Sequence, residues 1–241
     1  MTALLEVHNV CKQFFGLAAL RDVSFEVEEG HICGLIGPNG AGKTTLFSII
    51  AGCTPPTSGQ IVFRGQDLTR IRPHHAVRAG IARTHQVARP FRSMTVLENV
   101  EVALRYGRSG ESGNLAKDAM QALELVGLEH AVHFLAAILS VGDLKRLELA
   151  RALAAHPLLL LCDEVCGGLS ESETQSILAL LRRIQQMGTT VLYVEHNLRA
   201  IMGVCEKVVV LNFGEKLAEG PPAQMQNDPV VIEAYIGKCA V

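Results

Sequence analysis

The sequence lacks three features that would assign it to a well-defined class: a long hydrophobic run, an excess of one charge and paired cysteines. No apolar run approaches the roughly 20 residues of a transmembrane helix. The 22 Lys and Arg and the 24 Asp and Glu give a net charge of −2 in 241 residues, which argues against a general binder of nucleic acid. The 7 cysteines are scattered, and no second Cys or His pair accompanies Cys162 and Cys166 to complete a metal site. We therefore expect reduced thiols and no disulfide framework, membrane span or secretory signal.

The hydrophobic residues that are present predict a layered α/β protein. They make up 49% of the chain, against 19% charged residues, which is enough for a packed core. Short continuous apolar runs occur at residues 158–162, 189–194 and 207–211, between segments with helical periodicity. Strands that are apolar on both faces and alternate with helices predict a parallel sheet covered by helices. Residues 89–151 are predicted to be helical and to contain no strand, as in a helical subdomain inserted into an α/β core.

A phosphate-binding loop is predicted at residues 37–44, which read G-P-N-G-A-G-K-T and fit the pattern G-x-x-x-x-G-K-[ST]. An apolar strand precedes the loop and a helix follows it, as this pattern requires. Glycines let the backbone N–H groups curl around phosphate oxygens, and the helix N-terminus adds a partial positive charge. We expect Lys43 to reach the β- and γ-phosphates and Thr44 to hold Mg²⁺.

Two acidic residues follow the apolar run at 158–162. Asp163 and Glu164 are expected at the carboxyl end of a buried strand, where ligands of open α/β sheets bind. Asp163 can complete the Mg²⁺ shell, and Glu164 can orient and polarise an attacking water. Together with the phosphate loop, the two acids predict hydrolysis of a nucleoside triphosphate.

Five further segments resemble motifs of the ABC transporter ATPases. They are residues 139–143 (L-S-V-G-D), similar to the signature motif; residues 81–86 (I-A-R-T-H-Q), similar to the Q-loop; residues 191–196 (V-L-Y-V-E-H), similar to the switch-histidine strand; residues 11–14 (C-K-Q-F), similar to the segment whose aromatic ring stacks on adenine; and residues 168–171 (G-L-S-E), similar to the D-loop. The motifs are ordered as in that family, and the resemblance covers essentially the whole chain.

This resemblance implies one ABC ATPase cassette over residues 1–241. Its fold would be an α/β P-loop NTPase with a RecA-like parallel-sheet core, an N-terminal antiparallel β subdomain and an inserted α-helical subdomain. The nucleotide-binding α/β core would comprise residues 1–88 and 152–241. The helical subdomain, at residues 89–151, would carry the signature motif.

The resemblance also implies a set of site residues, with ATP and Mg²⁺ as cofactors. Glu164, His196 and Gln86 would act in hydrolysis. The metal ligands would be Thr44, Gln86 and Asp163. The nucleotide would be bound by Phe14, Gly37, Pro38, Asn39, Gly40, Ala41, Gly42, Lys43, Thr44, Thr45, Ser140 and Gly142. Ser140 and Gly142 would act across a dimer interface, on the γ-phosphate of a partner's ATP. The neighbouring Phe15 is an alternative adenine-stacking residue.

Several positions depart from the family pattern. Asp143 stands where the signature usually has Gln or Glu. It lies three residues after Ser140 at the start of a helix, so we interpret it as a capping variant rather than as a loss of activity. Val165 replaces the Pro that commonly follows the two acids. His85 stands where the family often has Phe, and we interpret it as a surface or packing residue rather than a ligand.

Within the family the chain most resembles the ATP-binding subunits of branched-chain and hydrophobic amino-acid uptake systems. The likeness rests on residues 80–86 and 93–100 and on the tail segments 218–220 and 227–237. It implies an ATPase subunit of an importer at the cytoplasmic face of the cell membrane. The partners would be a second cassette, identical or different, transmembrane permease subunits and, indirectly, a solute-binding protein. The likeness does not identify the transported solute, because the solute pockets would lie in other subunits.

Three alternatives remain open at this point: an exporter ATPase, a soluble regulatory cassette, and a nucleotide-binding subunit weakened by Asp143. The retention of Glu164 and His196 argues against the last. Residues 61–92 contain seven Arg and one Asp, a cluster that a nucleic-acid patch would also show. Because the rest of the chain balances these charges and few aromatics accompany them, we interpret the cluster as a solvated face and expect no nucleic-acid partner.

Overall fold

Two β-sheets organise the residues that the computed structural model describes, which are 2–86, 88–107, 114–195 and 198–236. The strands are β1 (Ala3–Phe14), β2 (Leu17–Glu28), β3 (Ile32–Ile36), β4 (Ser58–Phe63), β5 (Gln66–Asp67), β6 (Ile81–Arg83), β7 (Leu159–Asp163), β8 (Thr190–Val194), β9 (Lys207–Asn212) and β10 (Glu215–Gly220). The helices are α1 (Lys43–Ile50), α2 (Pro73–Ala79), α3 (Val96–Tyr106), α4 (Leu115–Val126), α5 (Val141–Ala154), α6 (Glu171–Gln186), α7 (Leu198–Val204), α8 (Pro222–Asn227) and α9 (Pro229–Ile236).

The larger sheet has six strands in the order β10-β9-β3-β8-β7-β6. All of its neighbouring strands are parallel except β10, which is antiparallel to β9. Every residue of β3, β7 and β8 is buried, because both faces of these apolar strands are covered. The prediction of a parallel sheet with helices on both faces is confirmed, and the apolar runs predicted from the sequence are β7, β8 and β9.

The smaller sheet is antiparallel, with four strands in the order β2-β1-β4-β5. Its apolar face packs over α1 and one face of the parallel sheet in a single hydrophobic cluster that includes Phe25, Phe47 and Phe63. The N-terminal antiparallel element of the predicted fold class is therefore confirmed. This packing places β2 beside the loop that precedes α1, because Ala19 lies against Gly42. It also places β2 beside the β9–β10 turn, where the N–H of Arg21 donates to the carbonyl of Gly214.

Helices α3, α4 and α5 pack on one another and on the opposite face of the parallel sheet. Thr95 begins α3 with a reciprocal capping box to Glu98, and Ser170 begins α6 in the same way with Glu173. No strand lies between β6 and β7 in the described residues, as the sequence predicts. The limits of a helical subdomain at 89 and 151 stay a prediction, and α5 itself continues to Ala154. Within the described ranges, no helix combines the length and hydrophobicity required to cross a membrane.

Candidate functional site

The loop between β3 and α1 needs glycine at two positions for steric reasons. Gly37 has φ 152° and Gly42 has φ 102°, a region that favours glycine. A Cβ atom on Gly37 would overlap the carbonyl oxygen of Leu211, and one on Gly42 would lie 2.6 Å from the side chain of Leu20. The loop therefore keeps its curled path only with glycine at both positions, and its backbone leads directly into the N-terminus of α1.

Lys43 is the cation of this loop. It is 6% exposed, and its ammonium donates hydrogen bonds to the carbonyls of Gly37 at 2.6 Å and Pro38 at 3.0 Å. The pKa of Lys43 is lowered, because burial disfavours the charged ammonium. The negative charges of Glu164 and Asp163 offset part of this effect. A positive charge is thus held at the mouth of the loop, at the N-terminus of a helix that also favours anions.

An open cleft brings most of the predicted residues together. Its volume is about 260 Å³, and its lining residues are Ala19, Asn39, Gly40, Ala41, Gly42, Lys43, Thr44, Thr45, Gln86 and Glu164. Six positions of the phosphate loop therefore share one cavity with two of the residues expected to act in hydrolysis. Gln86 and Glu164 reach it from the ends of β6 and β7, which are neighbouring parallel strands.

Asp163 ends β7 and is almost fully buried, with 1% of its surface exposed. Its Oδ2 accepts a hydrogen bond from Nη2 of Arg83 at 2.7 Å, while its Oδ1 is buried without any hydrogen-bond partner. A buried carboxylate oxygen without a partner is costly, so it is a suitable ligand for a cation. No group of three or more His, Cys, Asp and Glu side chains in the described part of the chain has metal-binding geometry. A cation bound by Asp163 would therefore need hydroxyl, amide or phosphate oxygens as its other ligands.

Glu164 has an unusual backbone conformation for its residue type. Its φ is 49°, a left-handed region that costs a non-glycine residue about 1–2 kcal/mol. Its Oε2 accepts a hydrogen bond of 2.5 Å from Nε2 of Gln86. The carboxylate thus faces the cleft and is bound to a neutral amide, whereas the nearby guanidinium of Arg83 binds Asp163 instead.

Two cations in this site were not identified from the sequence. Arg83, besides pairing with Asp163, donates to Oγ of Ser48 at 3.2 Å and lies over the ring of Phe47. Lys145 donates to the carbonyl oxygens of Gln86 at 2.7 Å and Glu164 at 3.1 Å. The available signals were weak: Arg83 ends an apolar strand three residues before Gln86, and Lys145 lies among the apolar positions of α5.

Ser140 and Gly142 lie at the N-terminus of α5, outside the residues that line the cleft. Ser140 caps the helix: its Oγ accepts from the N–H of Asp143 at 3.1 Å and donates to Oδ2 of Asp143 at 2.8 Å. Asp143 therefore takes part in the cap of α5, and the expectation that it does not reduce activity stays a prediction. A Cβ on Gly142 would lie 2.8 Å from Oε1 of Glu173, so a side chain at this position would require the flexible Glu173 carboxylate to move.

The remaining predicted residues lie elsewhere or outside the described chain. Phe14 is 42% exposed at the tip of the β1–β2 hairpin, with the ammonium of Lys12 4.9 Å from its ring centre, and Phe15 is fully exposed. Neither ring lines the cleft, so an adenine-stacking role stays a prediction. His196 lies outside the described residues. His85, expected to be a packing or surface residue, lines a second cavity, and burial lowers its pKa.

This second cavity has a volume of about 340 Å³ and lies between α2, β6, α3 and α5. Its walls combine apolar groups with a few charged ones, including Tyr106, Arg151 and Glu148. The backbone N–H of His85 donates to Oε2 of Glu148 at 3.0 Å, and the Arg151 guanidinium lies 5.1 Å from the ring centre of Phe91. The two cavities are thus lined by consecutive residues: His85 lines the second cavity, and Gln86 lines the phosphate-loop cleft.

Comparisons with known proteins agree with this geometry. The ABC transporter family model matches residues 20–167, and a model described as a branched-chain amino acid ATP-binding cassette transporter matches residues 215–238. The chain is 38% identical to the high-affinity branched-chain amino acid transport ATP-binding protein LivG of Escherichia coli (strain K12), over 98% of each chain. It is 36% identical to the corresponding protein BraF of Pseudomonas aeruginosa, again over 98% of each. It is also 33% identical to the lipopolysaccharide export system ATP-binding protein LptB of Haemophilus influenzae, over 98% of each.

Solved structures give the same result. The ADP conformation of MJ1267, an ATP-binding cassette of an ABC transporter, has a TM-score of 0.90 and 30% identity, covering 99% of this chain and 100% of that one. The dimeric structure of MJ0796, a bacterial ABC transporter cassette, has a TM-score of 0.82 and 27% identity, covering 90% of this chain and 98% of that one. The fold is thus shared along nearly the whole length of the chain.

Proposed function

We propose that this chain, which belongs to the ABC transporter family, is the ATPase subunit that energises the uptake of branched-chain or other hydrophobic amino acids. Its activity as a transport ATPase follows from family membership. The solute class is the proposal, and two findings support it. The relatives LivG and BraF, named for branched-chain amino-acid transport, match over nearly full length, and the family model over residues 215–238 carries the same description.

The observation that supports the mechanism of ATP hydrolysis is the convergence of the phosphate loop, Gln86 and Glu164 on one cleft. We infer that loop N–H groups and Lys43 bind the β- and γ-phosphates, which concentrates positive charge where the leaving phosphate oxygens gain negative charge. The side chains of Gln86, which is exposed, and Glu164, which is half-buried, both line the cleft and then define the side from which water approaches. Phe14 or Phe15 would stack on adenine from the hairpin tip.

The donor set suits a magnesium ion. The Oδ1 atom of Asp163 is buried without a partner, Thr44 lines the cleft with its hydroxyl, and Gln86 uses its amide nitrogen for Glu164. These oxygen donors, together with phosphate oxygens, match the ligand preference of Mg²⁺. When bound, the ion would supply positive charge that offsets the negative charge of the phosphates. The role of Asp163 and Thr44 is to hold it beside the phosphate loop.

Glu164 is proposed to orient and polarise the attacking water. Its carboxylate is bound to a neutral amide at 2.5 Å, and the neighbouring guanidinium of Arg83 is bound to Asp163. A carboxylate at this position of the cleft can accept a hydrogen bond from water and polarise it. His196 is proposed to contact the γ-phosphate, as the likeness to the switch-histidine strand implies.

The site is proposed to be completed by a second cassette. Ser140 and Gly142 lie outside their own chain's cleft, so they would serve the γ-phosphate held by a partner. A related cassette, MJ0796, has been solved as a dimer. Whether the partner here is identical or different, two sandwiched ATP molecules would close the dimer and hydrolysis would reopen it.

The second cavity is proposed as the docking site for a transmembrane permease subunit. It is largely apolar, it is open, and His85 on its wall precedes Gln86 in the cleft by one residue. Occupation of the γ-phosphate site would therefore move the wall of the docking site. This arrangement would keep the chain on the cytoplasmic face of the membrane, with a solute-binding protein reached only through the permease.

Uptake by cells tests the proposed solute class. A strain without this gene should lose high-affinity uptake of radiolabelled leucine, isoleucine and valine while keeping uptake of a charged amino acid such as lysine. The wild-type gene should restore uptake, and a Lys43→Ala gene expressed at the same level should not. The relative LptB belongs to an export system, so a strain with unchanged leucine uptake and a defect in outer-surface lipid would favour the exporter alternative instead.

A further inference from the structure

A buried lysine joins the backbones of Gln86 and Glu164, two residues that line the phosphate-loop cleft. Lys145 is 6% exposed, and its ammonium donates to the carbonyl oxygens of Gln86 at 2.7 Å and Glu164 at 3.1 Å. None of the ion pairs formed between described residues includes Lys145. Burying an ammonium group is unfavourable unless hydrogen bonds replace its water. Here the replacement consists of two carbonyl oxygens from the candidate site.

One of these carbonyls belongs to a residue in an unfavourable conformation. Glu164 has φ 49°, and its backbone is fixed on both sides: its N–H donates to the carbonyl of Val194 at 3.0 Å, and its own carbonyl accepts from Lys145 and from the N–H of Gly167 at 3.1 Å. Left-handed backbone at a non-glycine residue persists only where surrounding contacts determine it. Lys145 makes the charged hydrogen bond among these contacts, and a hydrogen bond from a charged donor is stronger than one between two neutral groups.

The same face of α5 binds the segment on both sides of Gln86. Glu148, three residues after Lys145, accepts hydrogen bonds from the N–H groups of His85 at 3.0 Å and Arg89 at 3.3 Å. Arg151, three residues further, donates to the carbonyl of Arg89 at 2.8 Å. Residues three apart on a helix lie on one face, so the three side chains form a row along this segment. Lys145 is the member of the row that also reaches Glu164.

We propose that Lys145 is a positioning residue for ATP hydrolysis: its two hydrogen bonds fix the backbones of Gln86 and Glu164 relative to each other, so that the Glu164 carboxylate is directed at the attacking water. The inference rests on the proposed role of Glu164. Because α5 begins at Ser140, the helix that would contact the partner's nucleotide also positions the water-directing carboxylate of its own chain. Contact between the two cassettes would thereby be transmitted to hydrolysis in each.

The test compares Lys145→Met, which keeps the length and apolar stem but removes the donors, with Lys145→Arg, which keeps a charged donor. Arg146→Met is the matched control. Arg146 is the next residue on α5 and also makes two side-chain hydrogen bonds, but to the carbonyl of Val126 at 2.6 Å and to Oγ of Ser176 at 2.7 Å, away from the cleft. For each variant, kcat, the KM for ATP, the affinity for a fluorescent ATP analogue and the Tm are measured in the preparation in which the wild type hydrolyses ATP.

We expect Lys145→Met to lower kcat by roughly ten- to a hundredfold, because a small displacement of a reacting group has effects of this size, while nucleotide affinity changes by less than about threefold. Lys145→Arg should recover most of the kcat, and Arg146→Met should lower Tm with kcat nearly unchanged. A near wild-type kcat in Lys145→Met overturns the inference. The inference is also overturned if Arg146→Met lowers kcat as much as Lys145→Met does. It is overturned as well if Lys145→Arg folds normally but does not recover kcat.

Two further comparisons keep the result interpretable. If Lys145→Met does not fold, Lys145→Gln replaces it, since the shorter neutral amide cannot reach both carbonyls, and the same outcomes apply. Glu164→Gln is measured in parallel. Wild-type turnover in Glu164→Gln would refute the proposed role of Glu164 itself, whereas an inactive Glu164→Gln together with a fully active Lys145→Met would refute only the positioning role of Lys145.

Discussion

Arg83 and Asp163 form a buried ion pair, Nη2 to Oδ2 at 2.7 Å, where the neighbouring strands β6 and β7 end. The pair leaves Oδ1 of Asp163 buried without a hydrogen bond. Removing one partner of a buried pair leaves an uncompensated charge, which is more damaging than the loss of the attraction alone. The pair therefore both stabilises the sheet edge and presents one carboxylate oxygen for a cation.

Arg83→Met should lower the free energy of unfolding by about 3–5 kcal/mol, because the Asp163 charge would remain buried without its partner. Urea denaturation measures this change. Mg²⁺ with ATP should recover part of the loss, since a bound cation would supply positive charge to the same carboxylate. The matched control is Arg21→Met, which breaks an exposed pair with Glu215 at 3.5 Å and should change stability by less than about 1 kcal/mol. Equal effects of the two substitutions would refute the special role of the buried pair.

Lys43→Ala should weaken ATP binding at least about tenfold and abolish hydrolysis, because a charged hydrogen bond to phosphate contributes roughly 1.5–3 kcal/mol. Equilibrium binding of a fluorescent ATP analogue and steady-state phosphate release are the two measurements. Arg64→Ala, at an exposed turn of the small sheet, should leave both unchanged. If Lys43→Ala binds and hydrolyses ATP like the wild type, the phosphate-loop assignment is wrong.

The sheet and the cleft were largely predictable because their signals are local. Continuous apolar runs locate the buried strands β7, β8 and β9. The glycine pattern at 37–44 predicts the curled loop directly, because a Cβ atom on Gly37 would overlap the carbonyl oxygen of Leu211. Parallel strands end at a common edge, so placing Asp163 and Glu164 beside the loop needed no knowledge of distant contacts.

Other features could not be predicted because they depend on partners far away in the sequence. Arg83 contacts a residue 80 positions away and Lys145 one 59 positions away, and a flexible cationic side chain carries no local sign of which carbonyl or carboxylate it will reach. The alternating pattern typical of a strand covers only residues 4–10 and 23–27, whereas β1 and β2 each have 12 residues. Bulges between them interrupt the alternation that sequence patterns detect.

Asp143→Gln should leave ATPase activity within a few-fold of wild type and change the free energy of unfolding by about 0.5–1 kcal/mol. Asp143 closes the first turn of α5 through two hydrogen bonds with Ser140, and Gln can replace only some of this geometry. Steady-state ATPase assays and urea denaturation report the two effects separately. A large gain in activity would show instead that the native carboxylate, at the helix end proposed to meet a partner's phosphate, weakens the site.

Glu164→Gln should separate binding from hydrolysis. The substitution keeps the side-chain size and an oxygen acceptor but removes the negative charge, so ATP should bind while the chemical step fails. Since ATP favours the closed dimer and hydrolysis is needed to reopen it, the variant should accumulate as a dimer with ATP and remain a monomer without nucleotide. Size-exclusion chromatography with light scattering measures both states.

The composite site makes this result depend on the partner's α5 helix. In the proposed composite site, Ser140 and Gly142 reach the γ-phosphate of the other cassette, and both lie outside the cleft of their own chain. A Glu164→Gln, Gly142→Ala double variant should therefore bind ATP yet stay monomeric, because the added methyl group would occupy the end of α5 that is proposed to approach the partner's γ-phosphate. Within the chain itself, only the flexible Glu173 carboxylate, 2.8 Å from that Cβ, would have to move. If the chain pairs only with a different cassette, the dimer should form once that cassette is added. Nucleotide-bound Glu164→Gln that stays monomeric even then would refute the composite site, and wild-type turnover would remove Glu164 from its catalytic role.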